Sequence, residues 1–132
     1  MKQRMSHCGN ATPLFRQGYM RGVAPLIYGG AFRDNPELVA KHADALSGGN
    51  HLGYLYQLLA VVGWTSLPWL WSLKQPTLLL AGRHDPIVPI INSHFVARIM
   101  RDAKLEIIDD GHLFMVTLPA ETAAIIERFL AQ

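Results

Sequence analysis

The chain is 132 residues long, 50% hydrophobic and 17% charged, with a formal net charge of +2. That size suits one modest domain, the composition argues against a disordered chain, and so small a positive charge argues against a nucleic-acid partner. Cys8 is the lone cysteine, so a disulfide framework within the chain is excluded and a reducing compartment fits.

Met1 to Gly22 carries little periodicity and is broken by Pro13, Gly18 and Gly22, so it reads as loop or as a weak helix around Leu14 to Met20. Cys8 sits in this polar start with no strand behind it and is not read as a nucleophile. Met1 to His7 has positive charge but no apolar stretch after it, unlike a signal peptide. The longest apolar run, Leu58 to Val62 with Gly63 and Trp64, falls far short of a bilayer span. The expectation is a soluble, cytoplasmic protein without a membrane span.

Asn35-Pro36-Glu37 is a helix start, with an Asn cap, a Pro at the first helical position and an acidic first turn. That helix is expected to end near Ser47, where Gly48 and Gly49 supply a left-handed stop. A second helix is predicted from His51 or Leu52 to Val62, with Leu55, Leu58, Leu59 and Val62 as its buried stripe. A short aromatic turn or helix follows through Trp69, Leu70 and Trp71 to Leu73, and Lys74-Gln75 links onward. Trp64, Trp69, Trp71, Tyr54 and Tyr56 form an aromatic cluster that either lines an apolar acyl channel or simply packs the helices.

Pro76 to Pro89, PTLLLAGRHDPIVP, organises the rest. Thr77 to Ala81 is too short and too bluntly bounded for a helix, so the apolar run predicts a buried parallel strand that delivers Asp85 to the sheet rim. A second strand, Leu105 to Asp109, ends in Asp110-Gly111-His112. Between them Phe95, Val96, Ile99, Met100 and Ala103 share one face of a helix predicted over Asn92 to Ala103. Such a crossover is right-handed in nearly all cases, so both strand ends open on one edge, where ligands bind in α/β sheets. A last amphipathic helix, Pro119 to Ala131, presents Ala123, Ile126, Phe129 and Leu130 to the sheet.

Asp85 and His112 are therefore expected side by side, which suits acyl transfer. A carboxylate on one imidazole nitrogen fixes the tautomer and stabilises the imidazolium, leaving the other nitrogen to deprotonate a hydroxyl. Asp109 and Asp110 are assigned to the strand end and turn. His84, next to Asp85 on a tight turn and without a partner ligand motif, is not read as a metal ligand, and no cofactor is expected. The nucleophile is missing: Ser6, Ser47, Ser66, Ser72 and Ser93 are the serines, and none stands in a G-x-S-x-G elbow after a predicted strand.

Gly82-Arg83-His84-Asp85-Pro86 after the Thr77 strand, with Ile108-Asp109-Asp110-Gly111-His112-Leu113-Phe114, resembles the C-terminal part of an α/β-hydrolase. Ile27-Tyr28-Gly29-Gly30-Ala31-Phe32-Arg33 and Gly63-Trp64-Thr65-Ser66 sharpen the resemblance to intracellular medium-chain-length poly(3-hydroxyalkanoate) depolymerases. It implies an incomplete α/β fold: a helical cap over residues 1–73, then the last two parallel strands and helices of the sheet over 74–132. It also implies Asp85 and His112 as catalytic residues, an ester or polyester substrate, possible contact with a polyester granule, and an N-terminal hydrolase half not found in this chain. Arg83 and His84 stand where the family leads one to expect acidic residues. The alternatives are another α/β-hydrolase, such as a small-ester esterase or a dehalogenase, or a non-catalytic fragment that binds a partner or the granule surface. With one sequence-predicted neighbour for the Thr77 strand, the isolated chain is expected to associate, aggregate or stay loosely packed.

Overall fold

The computed structural model describes residues 17–42 and 51–132. Pro76 and the Gly82 turn bound a short apolar run, and it forms β1, Thr77–Gly82. It pairs in parallel with β2, Ala103–Ile108, in a register running from Thr77 opposite Ala103 to Gly82 opposite Ile108. The pairing persists beyond the strands, where the Arg83 N–H donates to Ile108 O at 2.8 Å and the His84 N–H to Asp110 O at 2.9 Å. Both carboxyl-end turns are thereby held on one edge. Among the described residues β1 and β2 are the whole sheet.

Before β1 come five helices: α1 Gln17–Tyr28, α2 Gly30–Asp34, α3 Pro36–His42, α4 His51–Val61 and α5 Leu67–Leu70. Between the strands lies α6, Ile90–Ile99, and after them α7, Phe114–Thr117, and α8, Pro119–Leu130. The order of elements is that of a helical segment followed by a β-α-β-α unit, an incomplete α/β-hydrolase fold.

Four expectations need correction. The first concerns α1, which runs as helix through Gly18, Gly22 and Pro25 where a loop or a weak helix ending at Met20 was expected. Tertiary packing overrides the breakers. Fully buried Ala24 joins Phe32 and Val39 in a small core with Tyr28, Leu38 and Leu113, and that burial holds the chain helical. The second concerns α6, which stops at Ile99 rather than Ala103. Met100 is already extended, and Asp102 O accepts the Thr77 N–H at 2.9 Å, so the backbone has joined the sheet. Consequently β2 begins at Ala103 and ends at Ile108, not Leu105 to Asp109.

Third, the stripe assigned to α4 is not buried: Leu55, Leu58, Leu59 and Val62 are 48, 44, 58 and 74% exposed. The helix is apolar nearly all round, so spacing could not single out a face. Fourth, α8 is rotated from its expected face. Thr122 is buried and returns its hydroxyl to Leu118 O at 2.9 Å, which lets a polar residue enter the packed stripe. Ile126 and Phe129 are half-buried as expected, whereas Ala123 and Leu130 are exposed.

The start of α3 follows the sequence reading, with the Leu38 N–H donating to Asn35 Oδ1 at 3.0 Å and Pro36 at the first helical position. Its expected end at Ser47 to Gly49 lies outside the described residues. No helix among the described residues is long and apolar enough to cross a membrane.

Candidate active site

The two strand-end turns bring Asp85 and His112 together, with Asp85 Oδ2 2.7 Å from His112 Nδ1. The turn after β1 supplies the rest of the carboxylate's partners. The backbone N–H groups of Ile87 and Val88 donate to Asp85 Oδ1 at 2.8 and 2.9 Å, an arrangement built by the Asp-Pro turn. The Asp85 side chain is only 6% exposed and that of His112 is 34% exposed. Burial works to raise the Asp85 carboxyl, yet the Val88 N–H, the His112 imidazole and the Ile87 N–H outweigh it and hold the group below its ordinary value.

An ionised Asp85 facing Nδ1 places the ring proton there. Nε2 is then the nitrogen able to take up a proton. A cleft of about 340 Å³ opens beside the pair, lined by Leu80, Ala81, Val88, Ser93, Phe114 and Met115 as well as Asp85 and His112. Its walls are mostly apolar, with the imidazole and carboxylate at one end.

His112 is also held from the helical segment. Its N–H donates to Tyr28 O at 2.7 Å, and the Tyr28 ring stacks on the imidazole with centroids 6.3 Å apart and planes at 16°. Asp110, assigned from sequence to a plain turn, is buried and does more than close that turn. Its Oδ1 accepts from Ala31 N at 2.6 Å and Gly111 N at 2.7 Å, while Oδ2 accepts from the Thr117 hydroxyl. Burial would raise this carboxyl, but the Thr117 hydroxyl, the Ala31 and Gly111 N–H groups and nearby His84 bring it below its ordinary value.

The close approach depends on glycine. At Gly30, φ is 49° and a Cβ would collide with the Asp110 carboxylate, and at Gly111 a Cβ would run into the Tyr28 carbonyl. Past β2 the burial alternates, with Ile108 buried, Asp109 exposed and Asp110 buried again, but the adjacent Asp109 and Asp110 are alike in sequence.

Asp109 faces outward, 3.2 Å from the Arg83 guanidinium and 3.3 Å from His84 Nε2. Among the described residues no three His, Cys, Asp or Glu side chains are grouped to hold a metal ion. Trp64, Trp69 and Trp71 are all more than half exposed, and Trp71 carries the Arg101 guanidinium 5.8 Å over its ring.

No family model matches the chain. It is 50% identical over 110 residues to a poly(3-hydroxyalkanoate) depolymerase of Ectopseudomonas oleovorans, covering 83% of this chain and 39% of that protein. Over 122 residues it is 26% identical to 3-oxoadipate enol-lactonase 2 of Acinetobacter baylyi, covering 89% of this chain and 44% of the relative. The crystal structure of the enol-lactonase from Burkholderia xenovorans LB400 matches with a TM-score of 0.74 at 18% identity, over 90% of this chain and 48% of that one. An α/β hydrolase from a Medee basin deep-sea metagenome library matches with a TM-score of 0.64 at 21% identity, over 87% and 44%.

The chain carries the C-terminal part of an α/β-hydrolase fold. Within that class its sequence resembles poly(3-hydroxyalkanoate) depolymerase, and it spans about two-fifths of the length of the curated relatives it matches.

Proposed function

We propose that this chain is the acid–base part of a serine hydrolase that cleaves the ester bonds of aliphatic polyesters, with a poly(3-hydroxyalkanoate) as the substrate. The observation that carries the reading is the 2.7 Å contact between Asp85 and His112 beside an apolar cleft. Asp85 orients the imidazole and stabilises its cation. His112 Nε2 removes the proton of a serine hydroxyl as that oxygen attacks the ester carbonyl, then returns it to the departing alkoxide. The same cycle with water as the attacking group frees the acid.

In this reading the serine and the oxyanion donors are supplied by a hydrolase portion outside these 132 residues. Ser93 lies on α6, away from any strand-to-helix elbow, so it is read as part of the cleft wall. Residues 1–73 act as the cap and 74–132 as the end of the core, and the apolar walls at Leu80, Phe114 and Met115 suit an alkyl side chain better than a charged one. Identity of 50% over 110 residues with a depolymerase supports the polyester substrate over a small ester.

The test is an ester and polyester hydrolysis assay on the 132-residue chain alone and after mixing with a separately made N-terminal portion of the depolymerase relative. Alone, the chain should show no turnover, and the mixture should hydrolyse both substrates. His112→Ala in the mixture should lower kcat by about a millionfold, as loss of a triad base does. Turnover by the chain alone that vanishes in His112→Ala would place a nucleophile inside it, Ser93 first among the candidates, and sink the division proposed here.

A further inference from the structure

We propose that Asp110 is a positioning residue for His112: its buried carboxylate fastens the Tyr28–Ala31 turn to the imidazole loop, so that the helical segment sets the direction of the ring. This rests on the reading of His112 as the base.

The sheet by itself brings the His112 loop only to the rim. Beyond Ile108 the backbone has left the β1 ladder, apart from the His84 N–H to Asp110 O bond. What then orients residue 112 is contact with the turn between α1 and α2: the 2.7 Å bond from its own N–H to Tyr28 O, and the Tyr28 ring stacked on the imidazole. Asp110 adds an independent fastening between that turn and the loop, because one oxygen binds Ala31 N and Gly111 N at 2.6 and 2.7 Å. The second oxygen takes the Thr117 hydroxyl from α7, which closes the far side of the same loop. Leu113, next to the imidazole, packs on the core of Ala24, Phe32 and Val39, so the loop is gripped by helices on both sides of His112.

An acceptor is required here, not a charge. Thr117 Oγ also lies 3.3 Å from Leu113 O, so its proton has an alternative partner. An Asn at 110 would keep the oxygen that takes both N–H groups and offer its amide to the Thr117 oxygen. Asp85, by contrast, needs its charge to stabilise the imidazolium.

The test is NMR on the isotope-labelled 132-residue chain mixed with the unlabelled N-terminal portion, following exchange of the His112 Nδ1 proton, with the β1 and β2 amides as an internal measure of folding. In Asp110→Ala that proton should exchange about tenfold faster, the scale set by lost hydrogen bonds to a buried carboxylate, while the sheet amides keep their protection. Asp110→Asn should restore slow exchange. An unchanged His112 proton in Asp110→Ala overturns the proposal, as does an Asn variant that is as impaired as the Ala variant.

If Asp110→Ala also loses the sheet amides, Thr117→Val decides: faster exchange confined to His112 supports the role, and no change overturns it. Asp85→Ala separates this inference from the reading beneath it. If Asp85→Ala abolishes the slow proton and the Asp110 variants leave it alone, only the positioning role falls. If Asp85→Ala changes nothing, or the unsubstituted chain shows no slow proton, the Asp85–His112 pairing falls and the positioning role with it.

Discussion

The rim of the sheet, rich in charged and polar residues, and helix α4, apolar nearly all round, end in opposite conditions. At the rim, Ile108, Gly111, Phe114 and Asp110 are buried, and four backbone N–H groups and two side chains converge on the carboxylates of Asp85 and Asp110. Along α4, Leu52, Leu55, Leu58 and Leu59 remain 44 to 63% exposed. A few directional hydrogen bonds are enough to satisfy the rim's buried polar groups, whereas burying a helix that is apolar all round takes a large opposing surface. The geometry of the site is thus self-contained while the burial of the helical region is not.

The largest effect that could break this contrast comes from Gly30. Gly30→Ala should cost about 2–4 kcal/mol in urea unfolding, combining the left-handed backbone penalty with forced overpacking against Asp110. Leu58→Ala on α4 should stay within about 0.5 kcal/mol, as a surface change does. Equal costs at the two positions would erase the distinction.

Next in size is the response to acid. Asp85 and Asp110 both sit below their ordinary carboxyl value in the folded chain, so the unfolded chain binds more protons at low pH. The stability they contribute is fully present above the unfolded value of about 3.9 and is lost as the pH falls through the depressed folded values. Urea midpoints measured from about pH 7 to about pH 3 should therefore fall at the acid end. Asp110→Ala should flatten that acid limb. A limb as steep as that of the unsubstituted chain would show that Asp110 is not among the groups responsible.

The smallest effect sharpens the contrast from outside. Arg83 and Asp109 are paired at 3.2 Å, but their side chains are 54 and 78% exposed. Arg83→Ala should change stability by about 0.2–1 kcal/mol at low salt and by nothing measurable near 1 M salt. A larger change would mean that the rim extends outward to this pair.

The sequence made the β-α-β unit and the meeting of Asp85 with His112 legible because each rested on a short-range pattern: an apolar run between Pro76 and Gly82, an Asp-Pro turn, a crossover of fixed hand. The helix over Pro25 was not legible, since only the burial of Ala24 against Phe32 and Val39 holds it, and those contacts lie outside any local window. Asp110 was passed over for a related reason. Once Asp85 fills the orienting role a second carboxylate looks superfluous, and its partner Ala31 is distant in sequence. The adjacent glycines at 29 and 30 were the visible half of that contact, marking a backbone that something approaches closely. The α4 stripe failed differently, because period alone cannot choose a face on a helix with almost no polar side.

The Ala31 to Asp110 bond joins residues 79 apart and so closes most of the chain into a ring. The entropy of closing such a ring grows only with the logarithm of its length, so doubling the intervening chain costs about 0.6 kcal/mol. Within that ring β1, Asp85 and β2 must stay, but the α4 and α5 portion is free to lengthen, shorten or be exchanged with little effect on where the imidazole points. A fold assembled this way can change the shape around the Asp85–His112 pair by rewriting one portion of chain, and leave the pair itself untouched.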